Sequence, residues 1–534
     1  MIPSNSCAKP EVEIKAEEFG WAVLLVLAYV LFWLPTIQAH PALSIGDSGR
    51  DLYAYWMTLQ GQWPGRDFFY QYSPLMPFYY AFWFLVGGAH LISMRIALGI
   101  LLLTCGLLTF KTLRMLVSPP VAFLASLGFL SLDIIHTYNH VGGLLLLLAA
   151  LFSLWKFFAG RRIAWVYFGA LAIAGITAVK INMGFSMLMA FLGSLWLDHF
   201  LSKRHFVWLT LVFGGLVLIS YVPLYWGLPA SWLAQGLGGL SWHYSLWGKL
   251  VHIPMRFLVW ERWRLWWAGA FLAFAVLGFL GLKKKGMTET ERKFLPRVLG
   301  SLVIFGLMST ADYFMMEGYF HRLSFWFFPV MVLSFGLFAE WASRILPRPL
   351  KIVLWCLTFL LVSWVPFHKA KEALAWRIPE RYLDFPQGKV YLGGDFGDVE
   401  TIKNGTRFLI ENTKPEDEIL AVPYAALYCF LSGRRHAVRE LAFYQTVRIN
   451  ETQEQEIIRK LDAKKTPMVL VANNLRLREP GVGRFGETHC LRLAKYIDDH
   501  YEEAGRWGPW EMDPPERLAV RILRRKTNSG RAGP

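Results

Sequence analysis

Long apolar runs fill the first 367 residues of this chain and restrict what it can fold into. A helix needs about 18–20 consecutive apolar residues to cross the hydrocarbon core of a bilayer, and several runs reach that length. Hydrophobic residues make up 55% of the 534 residues, above the roughly 45–50% of soluble proteins. We therefore predict a mainly α-helical, polytopic membrane protein of about eleven spans. The predicted spans are 21–38, 96–114, 120–136, 141–158, 163–180, 183–201, 206–226, 264–282, 297–311, 324–341 and 351–367.

Basic residues lie in short clusters between these runs, which is the pattern of cytoplasmic loops under the positive-inside rule. The clusters are at 156–162, 203–204, 283–297 and 344–351. With these in the cytoplasm, residues 1–20 are cytoplasmic as well. The loops near 39–95, 131–140, 180–182, 227–263 and 312–323 then lie on the outer side. Basic cytoplasmic loops thus account for the net charge of +16. Since no nucleic-acid-binding motif is present, we expect no nucleic-acid partner.

Two apolar-aromatic segments do not fit the span count. If 75–92 crossed the membrane, the basic residues Lys111 and Arg114 would move to the outer side. We therefore predict that 75–92 is a juxtamembrane or re-entrant part of the first outer loop, and its Tyr and Trp content suits an interface. Segment 227–263 is interrupted by Gly and Pro, so we predict outer amphipathic pieces that cover a site or contact lipid.

After residue 368 the charge density rises and short apolar strands alternate with helices. This alternation predicts a small α/β domain over 368–525 on the outer side, followed by a polar tail, 526–534. The predicted strands are 418–422, 468–472 and 518–523, and the predicted helices are 404–411, 424–431 and 451–461.

The five cysteines do not form a framework, and no CxxC pair or zinc spacing occurs. Cys105 and Cys356 lie in apolar runs, and Cys7 lies near the N-terminus. Cys429 and Cys490 both follow residue 368, so a disulfide between them and two free thiols are both open.

The segment Ser44–Phe78, which follows the first span, is unusually rich in charged and aromatic residues. Its charged residues are Asp47, Arg50, Asp51, Arg66 and Asp67. Charges packed this densely beside a span are costly unless they face water or a site. An ordinary solvated loop is the alternative.

The order of residues in this segment resembles the first outer loop of GT-C glycosyltransferases. The likeness lies in an Asp after the first span, then Asp51-Leu52-Tyr53, Gly61-Gln62-Trp63-Pro64, Arg66-Asp67-Phe68-Phe69 and Tyr72-Ser73-Pro74-Leu75. The resemblance covers most of the membrane part and is strongest over 39–95, then over 174–185 and 316–330. Within the family, the chain most resembles the bacterial branch related to protein mannosyltransferases and the lipid A aminoarabinose transferase. The resemblance implies a GT-C fold in the cytoplasmic membrane. It also implies sugar transfer, with inversion, from a polyprenyl-phosphate donor to a lipid, polysaccharide or protein acceptor at the outer face.

Such a reaction needs a group that deprotonates or orients the acceptor. Asp47 is the first choice, because it stands where the family's functional acid falls, although the family's frequent Asp-Glu pair is here Asp47-Ser48. Asp67 is the second choice, with a loop-stabilising Arg66–Asp67 pair as its alternative. For Asp51 we prefer a helix N-terminal charge over a site role.

The reaction also needs cations or hydrogen-bond donors for the departing phosphate. Lys180, in ITAVKINMGF, resembles the family's Lys-x-x-x-Gly segment, and a lysine that marks a helix end is the alternative. Arg322 and His321, in GYFHRLSFWFFP, resemble the family's His-Tyr pair, and an interfacial arginine is the alternative.

Four further residues are secondary candidates: Arg66, Tyr72, His140 and Asn182. His140 stands where relatives commonly have an Asp, and Asp133 is near enough in sequence to replace it. A structural histidine at a helix start is the alternative for His140. Some GT-C enzymes hold a divalent cation with acidic loop residues, but no metal motif is recognisable here. We therefore expect no metal, with a divalent cation as the alternative.

Two other classes of function remain. A transporter or flippase of lipid-linked glycans would place ionisable groups near the bilayer midplane, whereas the candidates here fall on one side. A non-catalytic membrane scaffold leaves the charge density of Ser44–Phe78 unexplained.

Overall fold

The computed structural model describes residues 11–41, 43–131, 138–200, 202–226, 289–316, 320–447, 449–473, 482–510 and 516–527. The predicted span at 264–282 and the predicted outer segment 227–263 lie outside these ranges.

Helices make up the described part of the first 375 residues. They are α1 (Glu11–Trp33), α2 (Asp47–Leu59), α3 (Leu75–Gly87), α4 (Leu91–Leu113), α5 (Pro119–Ser131), α6 (Tyr138–Gly160), α7 (Ala164–Val179), α8 (Ile181–Leu197), α9 (Lys203–Tyr225), α10 (Glu289–Met316), α11 (Phe320–Ile345) and α12 (Arg348–Ala375). Among the described residues, six helices are long and apolar enough to cross a membrane. The helical membrane architecture agrees with the prediction, and the number of about eleven spans stays a prediction.

Helix α3 is too short to cross a bilayer. Its 13 residues extend about 20 Å at 1.5 Å per residue, against a hydrocarbon thickness of about 30 Å. Gly88 follows with φ +90°, which a residue with a side chain rarely adopts, and α4 begins three residues later, where the His90 side chain accepts a hydrogen bond from Ser93 N. This length agrees with the prediction that 75–92 belongs to the first loop.

One ion-pair cluster joins the end of α8, the α6–α7 connection and α10 on the predicted cytoplasmic side. The buried carboxylate of Asp198, just after α8, contacts Arg161 from the α6–α7 connection. It also lies 2.6 Å from Nε of Arg297 on α10. The positions of these basic residues agree with the positive-inside pattern.

A five-stranded sheet with helices around it follows α12. Its strands are β3 (Glu418–Val422), β4 (Arg435–His436), β5 (Met468–Ala472), β6 (Tyr501–Trp507) and β7 (Val520–Arg525), in the order β4-β3-β5-β7-β6. The helices are α13 (Phe396–Asn412), α14 (Ala426–Ser432), α15 (Glu451–Ala463) and α16 (Leu491–His500). β3 pairs in parallel with β4 and β5, while β7 is antiparallel to β5 and β6. The bounds of β3 and β5 match those predicted from the sequence.

The first loop and the C-terminal segment form one folded body. Residues 39–40 (β1) pair in parallel with residues 391–392 (β2). Helix α2 lies between α3 and α14, and every residue from 48 to 58 is buried. A single cluster of buried apolar side chains continues from the helices into the sheet. The apolar core therefore crosses the domain boundary predicted at residue 368.

The cysteine pairing left open by the sequence is not formed. Cys429 and Cys490 are free thiols, and each is buried in a different apolar cluster. The disulfide alternative is wrong, and the two-thiol alternative is correct.

Candidate active site at the head of helix α2

Asp47 is the first residue of α2, which explains its placement at the edge of the buried loop. Its backbone N–H donates to Ser44 Oγ at 3.2 Å. Its side chain is 30% exposed, whereas the residues that follow it in the helix are buried. A carboxylate in the first turn is favoured by the helix dipole. Asp47 is thus an anchored carboxylate that reaches the surface.

Arg50, one turn further along, organises the charges around Asp47. Its Nη1 donates to Asp47 Oδ1 at 3.2 Å, and its Nε donates to Asp51 Oδ1 at 2.8 Å. Nη1 also donates to the hydroxyl of Tyr424 at 2.6 Å. The guanidinium lies 4.6 Å from the ring centroid of Tyr72, within the range of a cation–π contact. One buried cation therefore links both carboxylates of α2.

Asp51 is a buried ion-pair partner, and the expectation of a helix N-terminal charge is wrong for it. Asp47 occupies the first turn, whereas Asp51 is 1% exposed and accepts from Asn139 Nδ2 at 2.8 Å. Tyr55 OH in turn donates to the Asn139 carbonyl oxygen at 2.7 Å. Burial raises the pKa of Asp51 to about 6, and the positive charge of Arg50 offsets part of that rise. Burial disfavours the Arg50 cation, but Asp51, Tyr424, Tyr72 and Asp47 together more than compensate, so the Arg50 pKa lies above its ordinary range.

Tyr72 connects this cluster to α6. Its ring makes an edge contact with the ring of His140, 5.5 Å between centroids, and His140 is buried near the start of α6. The structure thus brings together Tyr72 and His140, which the sequence predicted separately.

Ser73, the residue after Tyr72, joins the first loop to the α7–α8 junction through a hydrogen bond. Ser73 N donates to the carbonyl of Val179, the last residue of α7, at 3.3 Å. Lys180 follows in extended conformation, φ −155° and ψ 113°, and is half-buried, while Asn182 is buried in the first turn of α8. The predicted helix end at Lys180 is correct, and the hydrogen bond between Ser73 and Val179 joins this helix end to the loop that carries Tyr72.

Asp67 has a different environment. Its two carboxylate oxygens accept from Arg66 Nε at 2.9 Å and Nη2 at 2.8 Å, and Oδ2 accepts from Trp63 N at 2.7 Å. The hydrogen bonds from Arg66 lower the Asp67 pKa. Arg439 donates to the carbonyl of Gly65 in the same turn. These contacts agree with the loop-stabilising alternative for the Arg66–Asp67 pair.

Some predicted residues lie outside what the structure describes. The backbone of His321 and Arg322 belongs to α11, but their side chains are not among the described ones, and Asp133 is outside the described residues. Within the described part of the chain, no group of three or more His, Cys, Asp or Glu side chains is arranged to hold a metal ion. The expectation that the chemistry needs no metal, with a divalent cation as the alternative, stays a prediction.

Three site residues were missed by the sequence reasoning. Arg50 was visible as a charge in the loop but was assigned no role, and Asn139 stood beside the candidate His140. Tyr424 had no local signal, because 377 positions separate it from Asp47.

Comparison with known proteins supports the fold. No family model matches the sequence, and no curated protein matches it. Among solved structures, ArnT from Cupriavidus metallidurans, bound to undecaprenyl phosphate, is similar over 94% of this chain and 98% of its own, with a TM-score of 0.55 and 12% identity. This chain has the GT-C fold. The resemblance seen in the first loop is thereby confirmed for the fold. Arabinofuranosyltransferase AftD from Mycobacteria is also similar, at 14% identity, over 95% of this chain and 40% of its own, with a TM-score of 0.47.

Proposed function

We propose that this GT-C chain is an integral-membrane glycosyltransferase. It transfers a sugar from a polyprenyl-phosphate donor to an acceptor hydroxyl at the outer face of the cytoplasmic membrane. The observation that carries the proposal is the partly exposed Asp47 carboxylate, held at the head of a buried helix by Arg50 and Tyr424. The ArnT structure with the same fold was bound to undecaprenyl phosphate, which supports a lipid-phosphate donor.

Asp47 serves as the general base in this proposal. Its carboxylate takes the proton of the acceptor hydroxyl as the hydroxyl oxygen attacks the anomeric carbon. The bond between that carbon and the phosphate oxygen breaks, and polyprenyl phosphate leaves with the electron pair. Attack opposite to the leaving group inverts the anomeric centre. Because Arg50 and Tyr424 both bind Oδ1, the direction of the carboxylate is fixed before the acceptor arrives.

The departing phosphate is assigned to the α7–α8 junction. Lys180 supplies a positive charge there, and the first turn of α8 supplies backbone N–H groups, which favour anions at a helix N-terminus. Arg322 and His321 remain further candidates for the phosphate. His140 and Asn182 lie on the helices that border this junction.

The acceptor is a hydroxyl of a lipid, a polysaccharide or a protein. Asp47 is the residue expected to face it, and the C-terminal segment lies on the same side of the membrane as the site. A transporter of lipid-linked glycans and a membrane scaffold are the competing functions, and the transfer assay below separates them from a transferase.

The test compares wild type with Asp47→Asn in membranes that contain radiolabelled polyprenyl-phosphate sugars. Asn keeps an oxygen for Arg50 and Tyr424 but is no base, so we expect transfer to fall by about 10²- to 10⁴-fold. Asp67→Asn is the matched control, with expression of all three proteins measured. Equal transfer by wild type and Asp47→Asn would place the base elsewhere. A wild type that transfers none of several donors would favour the transporter or the scaffold.

A further inference from the structure

We infer that Tyr424, from the C-terminal segment, is a positioning residue of the active site, so that this segment completes the site. The inference rests on the proposed function, with Asp47 as the base. Its basis is a three-membered contact between the Tyr424 hydroxyl, the Asp47 carboxylate and the Arg50 guanidinium.

The Tyr424 hydroxyl uses both of its hydrogen-bonding capacities on this cluster. It donates its proton to Asp47 Oδ1 at 2.8 Å and accepts from Arg50 Nη1 at 2.6 Å. The residue is 4% exposed, and its ring makes an edge contact with Tyr444, 5.0 Å between centroids. These two hydrogen bonds fix the orientation of the buried phenol, and the fixed phenol in turn restricts the orientation of the Asp47 carboxylate.

The backbone around Tyr424 is pressed against the start of α2. Leu427 N donates to the carbonyl of Ile45 at 3.3 Å, and Phe443 N donates to the carbonyl of Pro423 at 2.8 Å. A Cβ at position 46 would lie 2.3 Å from Tyr424 Cδ1. Gly46 therefore permits a contact between ring and helix start that any side chain would obstruct.

Other contacts hold the same two segments together without the Tyr424 hydroxyl. His436 N donates to Tyr53 OH at 2.8 Å, and Phe69 N donates to the carbonyl of Arg439 at 2.8 Å. Arg435 Nη2 donates to the Gln60 side-chain oxygen at 2.7 Å. Removing the Tyr424 hydroxyl should thus leave the segments docked, which separates a positioning role from a docking role.

The groups that face Asp47 define how the bond should act on proton transfer. Among the described contacts of Asp47, Arg50 comes from the same helix and also pairs with Asp51 and the Tyr72 ring, and Tyr424 comes from the C-terminal segment. A hydrogen bond donated to a carboxylate favours its ionised form. Loss of the Tyr424 donor therefore makes Asp47 easier to protonate, and the acid limb of the pH–rate profile should move to higher pH.

The experiment compares three full-length variants in the same membranes. Tyr424→Phe should lower kcat/KM about 10- to 100-fold, the loss expected for one hydrogen bond to a charged group, and should shift the acid limb. Tyr428→Phe is the matched control, since its buried hydroxyl contacts only the carbonyl of Thr401 at 3.4 Å among the described bonds. Tyr53→Phe is the docking control, because its hydroxyl joins α2 to β4 without contacting Asp47.

A second measurement does not depend on activity. In a double-mutant cycle of Tyr424→Phe and Asp47→Ala, the Tm losses should not be additive, because each substitution alone removes the same hydrogen bond. Additive Tm losses, or a Tyr424→Phe profile that coincides with wild type, would overturn the inference. Equal rate losses in Tyr424→Phe and Tyr53→Phe, with the acid limb of the pH–rate profile unchanged, would also overturn the inference. That result is expected if Tyr424 only holds the two segments together. A wild type without transferase activity would instead refute the proposed function and the catalytic part of this inference. The double-mutant cycle would still show whether Tyr424 and Asp47 are coupled.

Discussion

Substitution of Gly49 tests whether α2 must touch the C-terminal segment for the protein to work. Gly49 lies in the first turns of α2, where a Cβ would be 2.3 Å from Leu427 N, 2.6 Å from Leu427 Cβ and 2.7 Å from Leu427 Cα. Two of these atoms are backbone and the third is directly attached to it, so no rotamer change of Leu427 relieves the clash. In Gly49→Ala the two helices, α2 and α14, must separate.

The size of the effect follows from these distances. Ordinary contact begins near 3.4 Å, so α2 and α14 must move apart by about 1 Å, a strain that costs about 1–3 kcal/mol. Alanine returns about 0.5–1 kcal/mol of helix propensity, so the midpoints of the two ranges leave a net destabilisation of about 1 kcal/mol. The same movement would stretch the bond between Tyr424 and Asp47. A displacement of this size at a catalytic group can cost about 100-fold in rate.

The assay measures sugar transfer and thermal unfolding of Gly49→Ala in the same preparation. Gly214→Ala is the control, because Gly214 lies in α9 and, among the described residues, a Cβ there would meet no atom within 4 Å outside its own helix backbone. We expect the control to keep wild-type transfer and to unfold at the same or a slightly higher temperature. A Gly49→Ala protein with wild-type transfer and unchanged Tm would refute the packing of α2 on α14 described here.

Two more predictions concern the other carboxylates of the loop. Asp67→Asn breaks the partly exposed pair with Arg66, so we expect a stability loss of about 0.2–1 kcal/mol and transfer within about twofold of wild type; a loss as large as that of Asp47→Asn would make Asp67 the base. Asp51 has a pKa of about 6 in the folded chain, raised by burial from 3.8. Between about pH 4 and pH 6, the folded state therefore holds a proton that the unfolded chain has released. The stability contributed by Asp51 falls by about 3 kcal/mol as the pH rises through this range, and it does not change further above about pH 6. In a Tm series against pH, Asp51→Asn should lack this component, and curves that run parallel to wild type would contradict it.

The architecture was largely predictable, because the forces that specify it are local in sequence. Long apolar runs determine the membrane helices, and short apolar runs between turns determined the bounds of β3 and β5. The two-residue strands β1, β2 and β4 were not predicted, since so short a run has no periodicity to read. β6 was missed for another reason: in its sequence, YEEAGRW, only Tyr501 is buried and apolar residues do not alternate with polar ones, as an edge strand allows.

The candidate site was only partly predictable, because its members come from three distant parts of the chain. Asp47 was identified through the resemblance of its loop, and Tyr72 and His140 were named separately before the structure placed their rings in contact. Arg50 carried no mark that distinguished it from an exposed loop arginine. Tyr424 belongs to a segment whose packing against α2 depends on the tertiary fold alone.

The burial of Arg50 and Asp51 explains why one short helix can join these parts. A buried ion pair contributes little net stability, because the cost of removing both charges from water offsets their attraction. Leaving one of the two buried charges without its partner nevertheless costs much free energy. The pair therefore strongly disfavours any arrangement that separates Arg50 from Asp51. Here Asp51 is tied to Asn139 of α6, and Arg50 is tied to Tyr424 beyond β3. The membrane helices, α2 and the C-terminal segment must therefore meet in one geometry, and Asp47 lies at the point where they meet. In this protein the buried charges thus fix the geometry around Asp47, and the apolar core around them supplies the stability.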